Sequence, residues 1–417
     1  MTEEEAFGFL VRVMYSTRQN KRYGGDSVAF EWHWSSRLLR MMDALLTRTF
    51  GIEWNYAFLT SYPKWREIFA TIFQGRMADH LLCDTLSPYI ERELHDRTFN
   101  NRKEKGAQAA INQVIEDVCE VTECYTQPAR VIKWDLKGFF PNALCSEMQW
   151  YFENVIDKYA EQIAADYGES ELPSFLKWLA MKCVNSNPAA HCELRTPRAL
   201  WDLHIQPEKS LLITNDPHKG APIGRMSSQN VMGLYLNDEV RWLNDECGIR
   251  STLFMDDCVE VVPEHLHAYA LSLFPELRKR LAAKGIRLNE KKFYDQPYKH
   301  GLEFLGSHIH PWSIILNDKT WARCLERIAE YNRIPLLEKY VYLDHFIATV
   351  NSYTGLLKNR TSYSRIMTLK AAIGKDWWHW LQWDSRRQCV VRREGFTERD
   401  RLNLKYHLRL KTQRKTW

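Results

Sequence analysis

"STLFMDDCVEVV" (residues 251–262) joins two apolar runs through a pair of adjacent aspartates, Asp256 and Asp257. The pattern predicts a buried β-hairpin with two like charges at its tip. Burying both carboxylates costs on the order of several kcal/mol unless something compensates their charge. One explanation is a plain turn, in which Asp is common. The other is a site for a divalent metal ion.

A third aspartate favours the metal explanation. Asp135 ends the apolar run "ARVIKWD" (129–135), which reads as a buried strand. Two such strands lying side by side in a sheet would bring the carboxylates together and create a site for two hard cations. Two cations about 4 Å apart support in-line phosphoryl transfer. Magnesium needs few protein ligands there, because substrate phosphates supply the rest.

Composition and charge bound the class of protein. The 417 residues suffice for two to four domains, and no apolar run reaches the length of a membrane span. The acidic start is not a secretory signal, and ten cysteines without a CxxC pair argue against zinc and for the cytoplasm. Residues 386–417 hold 11 Lys/Arg and 3 Asp/Glu, against a net charge of +5 for the whole chain. This basic tail is either a polyanion-binding segment or a solvated helix surface.

The pattern along the chain predicts an α+β fold. Beyond the strands above, "IRLNEKKFY" (286–294) and "LEFLGSHIH" (302–310) read as short strands. The segment "KWREIFATIFQGRMADHLL" (64–82) is amphipathic, and "SSQNVMGLYLNDEVRWLNDE" (227–246) reads as a helix with a serine cap. Helices are predicted over residues 1–50, most of 61–125, 145–185, 227–246 and from Asp318 onward. Trp377, Trp378, Trp380 and Trp383 recur near helical spacing, which favours core packing.

The motifs together resemble those of bacterial reverse transcriptases. "FMDDC" is similar to their paired-aspartate hairpin, with Phe254 at the usual tyrosine position. Four other segments resemble the fingers, first-carboxylate, nucleotide and last two palm motifs of that family, in the family's order: "NNRKEKGAQAAI" (100–111), "DLKGFFPNA" (135–143), "KGAPIGRMSSQNVMGLYLNDE" (219–239) and "LNEKKFYDQPYKHGLEFLGSHI" (288–309). The resemblance runs from about Tyr15 to Asn332.

The resemblance implies a right-hand polymerase of fingers, palm and helical thumb, with the antiparallel sheet in the palm. The expected domains are an N-terminal helical extension (1–60), fingers (61–130), palm (131–310, with an insertion at about 145–215), thumb (311–385) and the basic C-terminal tail (386–417).

The resemblance also implies catalytic roles. Asp135, Asp256, Asp257 and the carbonyl of Leu136 would hold two Mg²⁺ ions, for which Mn²⁺ is a possible substitute. Lys292 would protonate the leaving pyrophosphate, although an exposed surface lysine is a rival explanation. Three motif residues would form the primer grip, or only a plain hairpin turn: Phe304, Leu305 and Gly306.

Further residues are implied to bind the nucleotide. Arg102 and Lys105 would clamp the triphosphate, unless they belong to a solvated loop. Phe140 would exclude a ribose 2′-hydroxyl, whereas its neighbour Phe139 is expected in the core. The remaining nucleotide-motif residues are Ile223, Gly224, Ser228 and Gln229. Arg66 and Arg76 resemble upstream fingers positions.

Two departures from the retroviral motifs narrow the group of reverse transcriptases that the chain resembles. Retroviral enzymes carry Gln-Gly and then Ser-Pro in the nucleotide motif, where this chain has Ile223-Gly224 and Ser228-Gln229. These pairs mark the reverse transcriptases of diversity-generating retroelements, and some antiphage-defence enzymes branch near them. The apolar Ile223 removes a hydrogen-bonding amide beside the templating pair, so base selection is expected to loosen.

The expected function is RNA-directed DNA synthesis on a dedicated noncoding RNA in antiphage defence. The implied partners are that structured RNA, a DNA primer or product, deoxynucleoside triphosphates and either an accessory protein or a second copy, without a membrane. The alternatives are an error-prone retroelement enzyme, a non-catalytic polymerase-like RNA-binding subunit and a metal-dependent nuclease.

Overall fold

The computed structural model describes residues 2–19, 25–61, 64–190 and 192–393. The chain forms two compact units, one of residues 1–121 and 130–295, the other of residues 122–129 and those from 296 onward. Most of the predicted basic tail, residues 394–417, lies outside the described residues.

The first unit contains most of the helices, and the predicted helical N-terminus is confirmed. The first helix begins with a capping box, in which the Thr2 hydroxyl accepts from the Glu5 N–H and the Glu5 carboxylate accepts from the Thr2 N–H. The helices of this unit are Glu3–Thr17 (α1), Gly25–Trp32 (α2), Trp34–Leu46 (α3), Phe73–Glu93 (α4), Ala107–Val121 (α5), Phe139–Asn142 (α6), Cys145–Lys158 (α7), Ala160–Tyr167 (α8), Leu172–Val184 (α9), Arg198–His204 (α10), Leu211–Thr214 (α11), Met226–Tyr235 (α12), Asn237–Arg241 (α13), His267–Ser272 (α14) and Phe274–Ala283 (α15).

Two sheets accompany these helices. Their strands are Trp54–Thr60 (β1), Arg66–Thr71 (β2), Ala129–Asp135 (β3), Glu193–Leu194 (β4), Arg250–Phe254 (β5), Asp257–Pro263 (β6) and Tyr294–Pro297 (β7). The three-stranded sheet has the order β2-β1-β4, and the four-stranded sheet has the order β5-β6-β3-β7. One cluster of buried apolar side chains joins β3, β5 and β6 to α1, α3, α4, α7, α9, α12 and α15.

The predicted hairpin is confirmed. Strands β5 and β6 pair antiparallel with Phe254 opposite Asp257, so Met255 and Asp256 form a two-residue turn. Met255 has a φ of +59°, and a positive φ at the first central position is typical of a hairpin turn of type II′.

Three local predictions for the first unit are wrong. Residues 66–71 of the predicted helix form β2, because alternate residues from Glu67 to Thr71 are buried and pair with β1. Helix α12 begins after Arg225 rather than at a serine cap, since Ser227 instead donates its hydroxyl to Asp79. Only Tyr294 of the strand predicted over 286–294 lies in a strand, at the start of β7, because a 3-10 helix occupies Glu290–Lys292.

The second unit combines small sheets with helices. Its elements are Leu302–Phe304 (β8), Ser307–His310 (β9), Ser313–Leu316 (β10), Asp318–Arg333 (α16), Leu336–Lys339 (α17), Leu343–Lys358 (α18), Tyr363–Ala372 (α19), Leu381–Asp384 (β11) and Cys389–Arg392 (β12). Trp377 is fully buried in the core of this unit. Trp378, Trp380 and Trp383 are partly buried and pack against that core, which confirms their predicted packing role. The antiparallel β11–β12 hairpin corrects the prediction that the chain is helical from Asp318 onward.

The α+β class is confirmed, whereas the names fingers, palm and thumb stay predictions. The boundary predicted at residue 60 divides the β1–β2 hairpin, and residues 296–310 belong to the second unit rather than to the unit that holds β3 and β6. Among the described residues, no helix combines the length and apolar character that a membrane span requires.

Candidate active site

Neighbouring strands bring the predicted carboxylates to one place. Strand β6 lies next to β3 in the four-stranded sheet. Asp135 is the last residue of β3, Asp257 is the first residue of β6, and Asp256 occupies the turn before it. The two carboxylate motifs are about 120 residues apart in sequence, so only the strand order unites them.

Asp256 carries the clearest electrostatic sign of this arrangement. Its partial burial and the charges of Asp135 and Asp257 raise its pKa to about 6. The positive charge of Lys64 opposes this rise. Three carboxylates therefore repel one another here, and a cation would relieve that repulsion.

Asp135 is buried and held from two sides. Its carboxylate accepts a hydrogen bond from Asn289 Nδ2 at 3.2 Å and forms an ion pair with Lys292 Nζ. The Asn289 N–H also donates to the Asp135 carbonyl at 2.8 Å. Burial alone would lower the pKa of Lys292, but the Asp135 hydrogen bond and the charges of the three aspartates raise it. The predicted acid therefore holds its proton beside Asp135, although half of its side chain is exposed.

A second lysine, Lys133, pairs with another of the three carboxylates, and the sequence did not single it out. Lys133 Nζ lies 3.5 Å from Asp257 Oδ1. Residues two apart on a strand share a face, so Lys133 and Asp135 project from the same side of β3. The two-residue spacing of Lys133 and Asp135 in "KWD" (133–135) is the sequence signal that could have revealed this lysine.

The carboxylates suit a divalent cation in chemistry, although they do not yet enclose one. Within the described part of the chain, no three His, Cys, Asp or Glu side chains lie close enough together to hold a metal ion. Carboxylate oxygens are nevertheless the donors that magnesium prefers, and burial together with the charges of Asp135 and Asp257 raises the pKa of Asp256. Its ligands would be Asp135, Asp256, Asp257 and the carbonyl of Leu136, a buried residue whose backbone bridges to Leu288.

The two predicted triphosphate ligands, Arg102 and Lys105, bind residues of their own loop and of helix α4. Arg102 donates to Glu91 Oε1 at 2.8 Å and to the carbonyls of His95 and Thr98. Lys105 Nζ donates to the carbonyl and carboxylate of Asp96 at 2.6 and 3.1 Å. Both side chains thus stabilise the conformation of the loop, and their binding of a nucleotide stays a prediction.

The predicted nucleotide loop is tied to two other elements. The Ala221 N–H donates to the Phe140 carbonyl at 2.8 Å, and the Phe69 N–H donates to the Ile223 carbonyl at 3.4 Å. Gly224 has a φ of +113°, and a Cβ there would lie 3.2 Å from the Phe69 carbonyl oxygen, so glycine is required. The loop thereby connects Phe140 in α6 to strand β2. Phe140 is partly buried, and Phe139 is in the core as expected.

The other predicted nucleotide residues lie on α12. Ser228 is buried and Gln229 is exposed. Asn101 Nδ2 donates to the Gln229 carbonyl at 3.2 Å, which joins the predicted fingers motif to the nucleotide motif. Arg66 is exposed at the start of β2, and Arg76 pairs with Asp26 at 2.8 Å.

Arg225 is the main residue of this region that the sequence did not reveal. Its guanidinium is buried and binds both carboxylate oxygens of Asp79, at 2.9 and 2.6 Å, and the Cys183 carbonyl at 2.7 Å. Burial would lower the pKa of Arg225, but the Asp79 charge raises it above its ordinary value. The pair anchors the start of α12 to α4.

The predicted primer-grip residues form a tight turn in the second unit. Phe304 ends β8 and is buried, while Leu305 and Gly306 have φ values of +46° and +75°. Two positive φ values in a two-residue loop are typical of a type I′ hairpin. The turn is confirmed, and its contact with a primer stays a prediction.

Comparison with known proteins identifies no family. No protein-family model and no curated protein matches the chain. It is similar to apo telomerase from Candida tropicalis truncated from its C-terminal domain, at 12% identity over 63% of this chain and 55% of that one, with a TM-score of 0.39. It is also similar to telomerase from Candida albicans in complex with a TWJ fragment of telomeric RNA, at 11% identity over 78% of this chain and 61% of that one, with a TM-score of 0.40. The chain thus spans less than two thirds of either protein, and likeness at this level establishes neither family nor activity.

Proposed function

We propose that this protein is an RNA-directed DNA polymerase that joins deoxynucleotides by two-metal nucleotidyl transfer. The observation that carries the proposal is the juxtaposition of Asp135 with the Asp256-Asp257 turn at neighbouring strands, where burial and the charges of the other two carboxylates raise the pKa of Asp256. Asp135 is buried and Asp256 and Asp257 are partly buried, so their like charges are costly, and a purely structural hairpin does not need them.

The chain's own residues would divide the work. Asp256 would lose its proton as the pH rises through about 6 and complete the charge of the site. Lys292 holds a proton on Nζ beside Asp135, in position to serve a leaving group. Bound magnesium would supply activation of the attacking hydroxyl and stabilisation of the leaving pyrophosphate. Phe140, held by Ala221, would exclude a ribose 2′-hydroxyl.

The test is DNA synthesis by protein purified with its cellular RNA. Labelled deoxynucleotides and magnesium are added to wild type, to Asp256→Ala/Asp257→Ala and to Asp318→Ala, whose carboxylate is 91% exposed in the second unit. We expect wild type and the Asp318 variant to make DNA, and the double variant to be slower by roughly 10³-fold or more. DNA synthesis by the double variant at the wild-type rate would refute the proposal.

The biological use we propose is antiphage defence with a dedicated noncoding RNA as template. The Ile223-Gly224 and Ser228-Gln229 pairs also support an error-prone retroelement enzyme. Sequencing the product beside the co-purified RNA separates the two, because a retroelement enzyme yields mutated copies of a repeat.

A non-catalytic RNA-binding subunit is the second candidate. The ion pairs of Lys292 with Asp135 and of Lys133 with Asp257 favour it, because they neutralise carboxylates without a metal. Tight RNA binding by wild type without DNA synthesis on any primer and template would support this alternative.

A further inference from the structure

The second unit presents three aromatic rings stacked in succession, His308, His310 and Trp312. The two imidazole centroids are 4.2 Å apart with an interplanar angle of 23°. The His310 and Trp312 centroids are 6.1 Å apart with an interplanar angle of 12°. The Trp312 side chain at the end of this ring stack is 79% exposed.

The backbone holds the rings in place. Strand alternation puts His308 and His310 on one face of β9, with Ile309 buried on the other. Pro311 precedes Trp312 in the two-residue turn to β10, and its ring fixes the local φ. The backbone that carries the indole is therefore constrained before any ligand arrives, and this lowers the entropic cost of binding.

Gly301 makes room for the stack. Its φ is +74°, and a Cβ there would lie 2.7 Å from His310 Nδ1 and 2.9 Å from His308 Nε2. Any other residue would displace the imidazoles. Burial and the neighbouring His308 lower the pKa of His310, which favours the neutral ring.

We propose that the ring stack binds an unpaired nucleobase of a nucleic-acid strand, which continues the column on the open face of Trp312. The parallel rings leave one flat aromatic surface, and every base has a matching π-face. Lys299 and His300 are exposed in the 3-10 helix directly before Gly301, where they can meet the strand's phosphates. Glu303, opposite His308 in the β8–β9 pair, adds one negative charge nearby. The occupant rests on the proposed function, which requires such a strand.

The test measures binding of 12-nucleotide single strands of RNA and of DNA that contain 2-aminopurine, whose fluorescence falls when it stacks. The variants are Trp312→Ala and Trp312→Phe, and the control is Trp32→Ala, because Trp32 is 80% exposed on α2. We expect Trp312→Ala to weaken binding by roughly 5- to 150-fold and to abolish the quenching. Trp312→Phe retains most of both, and Trp32→Ala changes neither.

Each outcome has a defined meaning. A loss confined to RNA assigns the stacked base to the template, and a loss confined to DNA assigns it to the primer or product. Unchanged binding in Trp312→Ala, an equal loss in Trp32→Ala, or no binding by wild type would overturn the proposal. Binding that depends on Trp312 in a protein that makes no DNA would keep the ring stack and reject the polymerase.

Discussion

At the scale of single residues, burial distinguishes the charges that hold the fold from those available for chemistry. Arg225 and Asp79 are almost completely inaccessible and satisfy each other. Lys292 is half exposed, although it pairs with the buried Asp135. The first pair is closed to solvent and ligands, whereas the Lys292 side chain of the second pair is accessible to them.

Asp79→Asn should therefore lower the free energy of unfolding by about 3–5 kcal/mol, because it leaves the buried Arg225 guanidinium without its countercharge. Glu91→Gln is the matched control. It removes the countercharge of Arg102, whose buried guanidinium keeps two carbonyl acceptors, and Glu91 itself is 45% exposed. Its cost should be about 1 kcal/mol or less. Urea denaturation of both variants measures the difference, and equal costs would contradict the anchoring role of Arg225.

At the scale of elements, the register of β3 against β6 decides where the carboxylates meet. Trp134 Nε1 donates to Glu260 Oε1 at 2.7 Å, and both side chains are buried. By alternation, this bond lies on the face opposite Lys133, Asp135 and Asp257. A slip of one residue would turn Asp135 to the wrong face, so the Trp134–Glu260 bond helps to fix the site.

Glu260 also makes stability depend on pH. Burial raises its pKa to about 7 from an ordinary 4.5, so the folded state binds its proton more tightly than the unfolded state does. Its contribution to stability is fully present below pH 4.5 and is lost as the pH rises through about 7. Glu260→Gln keeps an oxygen acceptor for Trp134 without a charge. As the pH rises from 4.5 to about 7, the free energy of unfolding of this variant should increase relative to that of wild type by on the order of 2–3 kcal/mol.

Glu67→Gln is the control for that prediction. Glu67 also accepts from a buried indole, that of Trp201 at 3.1 Å, but it accepts from Ser210 Oγ and the Leu211 N–H as well. An amide there would face donors with its own NH₂ group, so this variant should lose stability. Thermal unfolding across the pH range measures both changes. A pH dependence in Glu260→Gln identical to that of wild type would contradict the prediction.

At the scale of the whole molecule, positive charge is concentrated at the end of the chain. Residues 394–417 contain 7 Lys/Arg and 3 Asp/Glu. If this segment contacts single-stranded RNA, each phosphate that it neutralises adds about 0.7 to the magnitude of the slope of log K against log salt, where K is the binding constant.

Deleting residues 394–417 should reduce the slope of log K against log salt by about 3, which corresponds to four net charges. A variant with the seven Lys/Arg changed to Gln keeps the length and the three acidic residues, so its slope should fall by at least as much. Filter binding of the co-purified RNA between low and moderate salt gives the slope. An unchanged slope in both variants would show that the segment does not contact RNA.

The sequence by itself determined the parts of this protein that depend on local pattern. The apolar runs on either side of Asp256-Asp257 specified the β5–β6 hairpin, and the run before Asp135 specified β3. The same local reasoning failed at residues 66–71, because their apolar spacing fits either period and only pairing with β1 selects the strand. Tertiary structure alone decided that β6 lies beside β3, that Arg102 is tied to Glu91 and that Arg225 meets Asp79. These contacts join residues that the sequence keeps far apart or does not mark. Their energies come from burial and electrostatics in the folded state, which no local pattern contains.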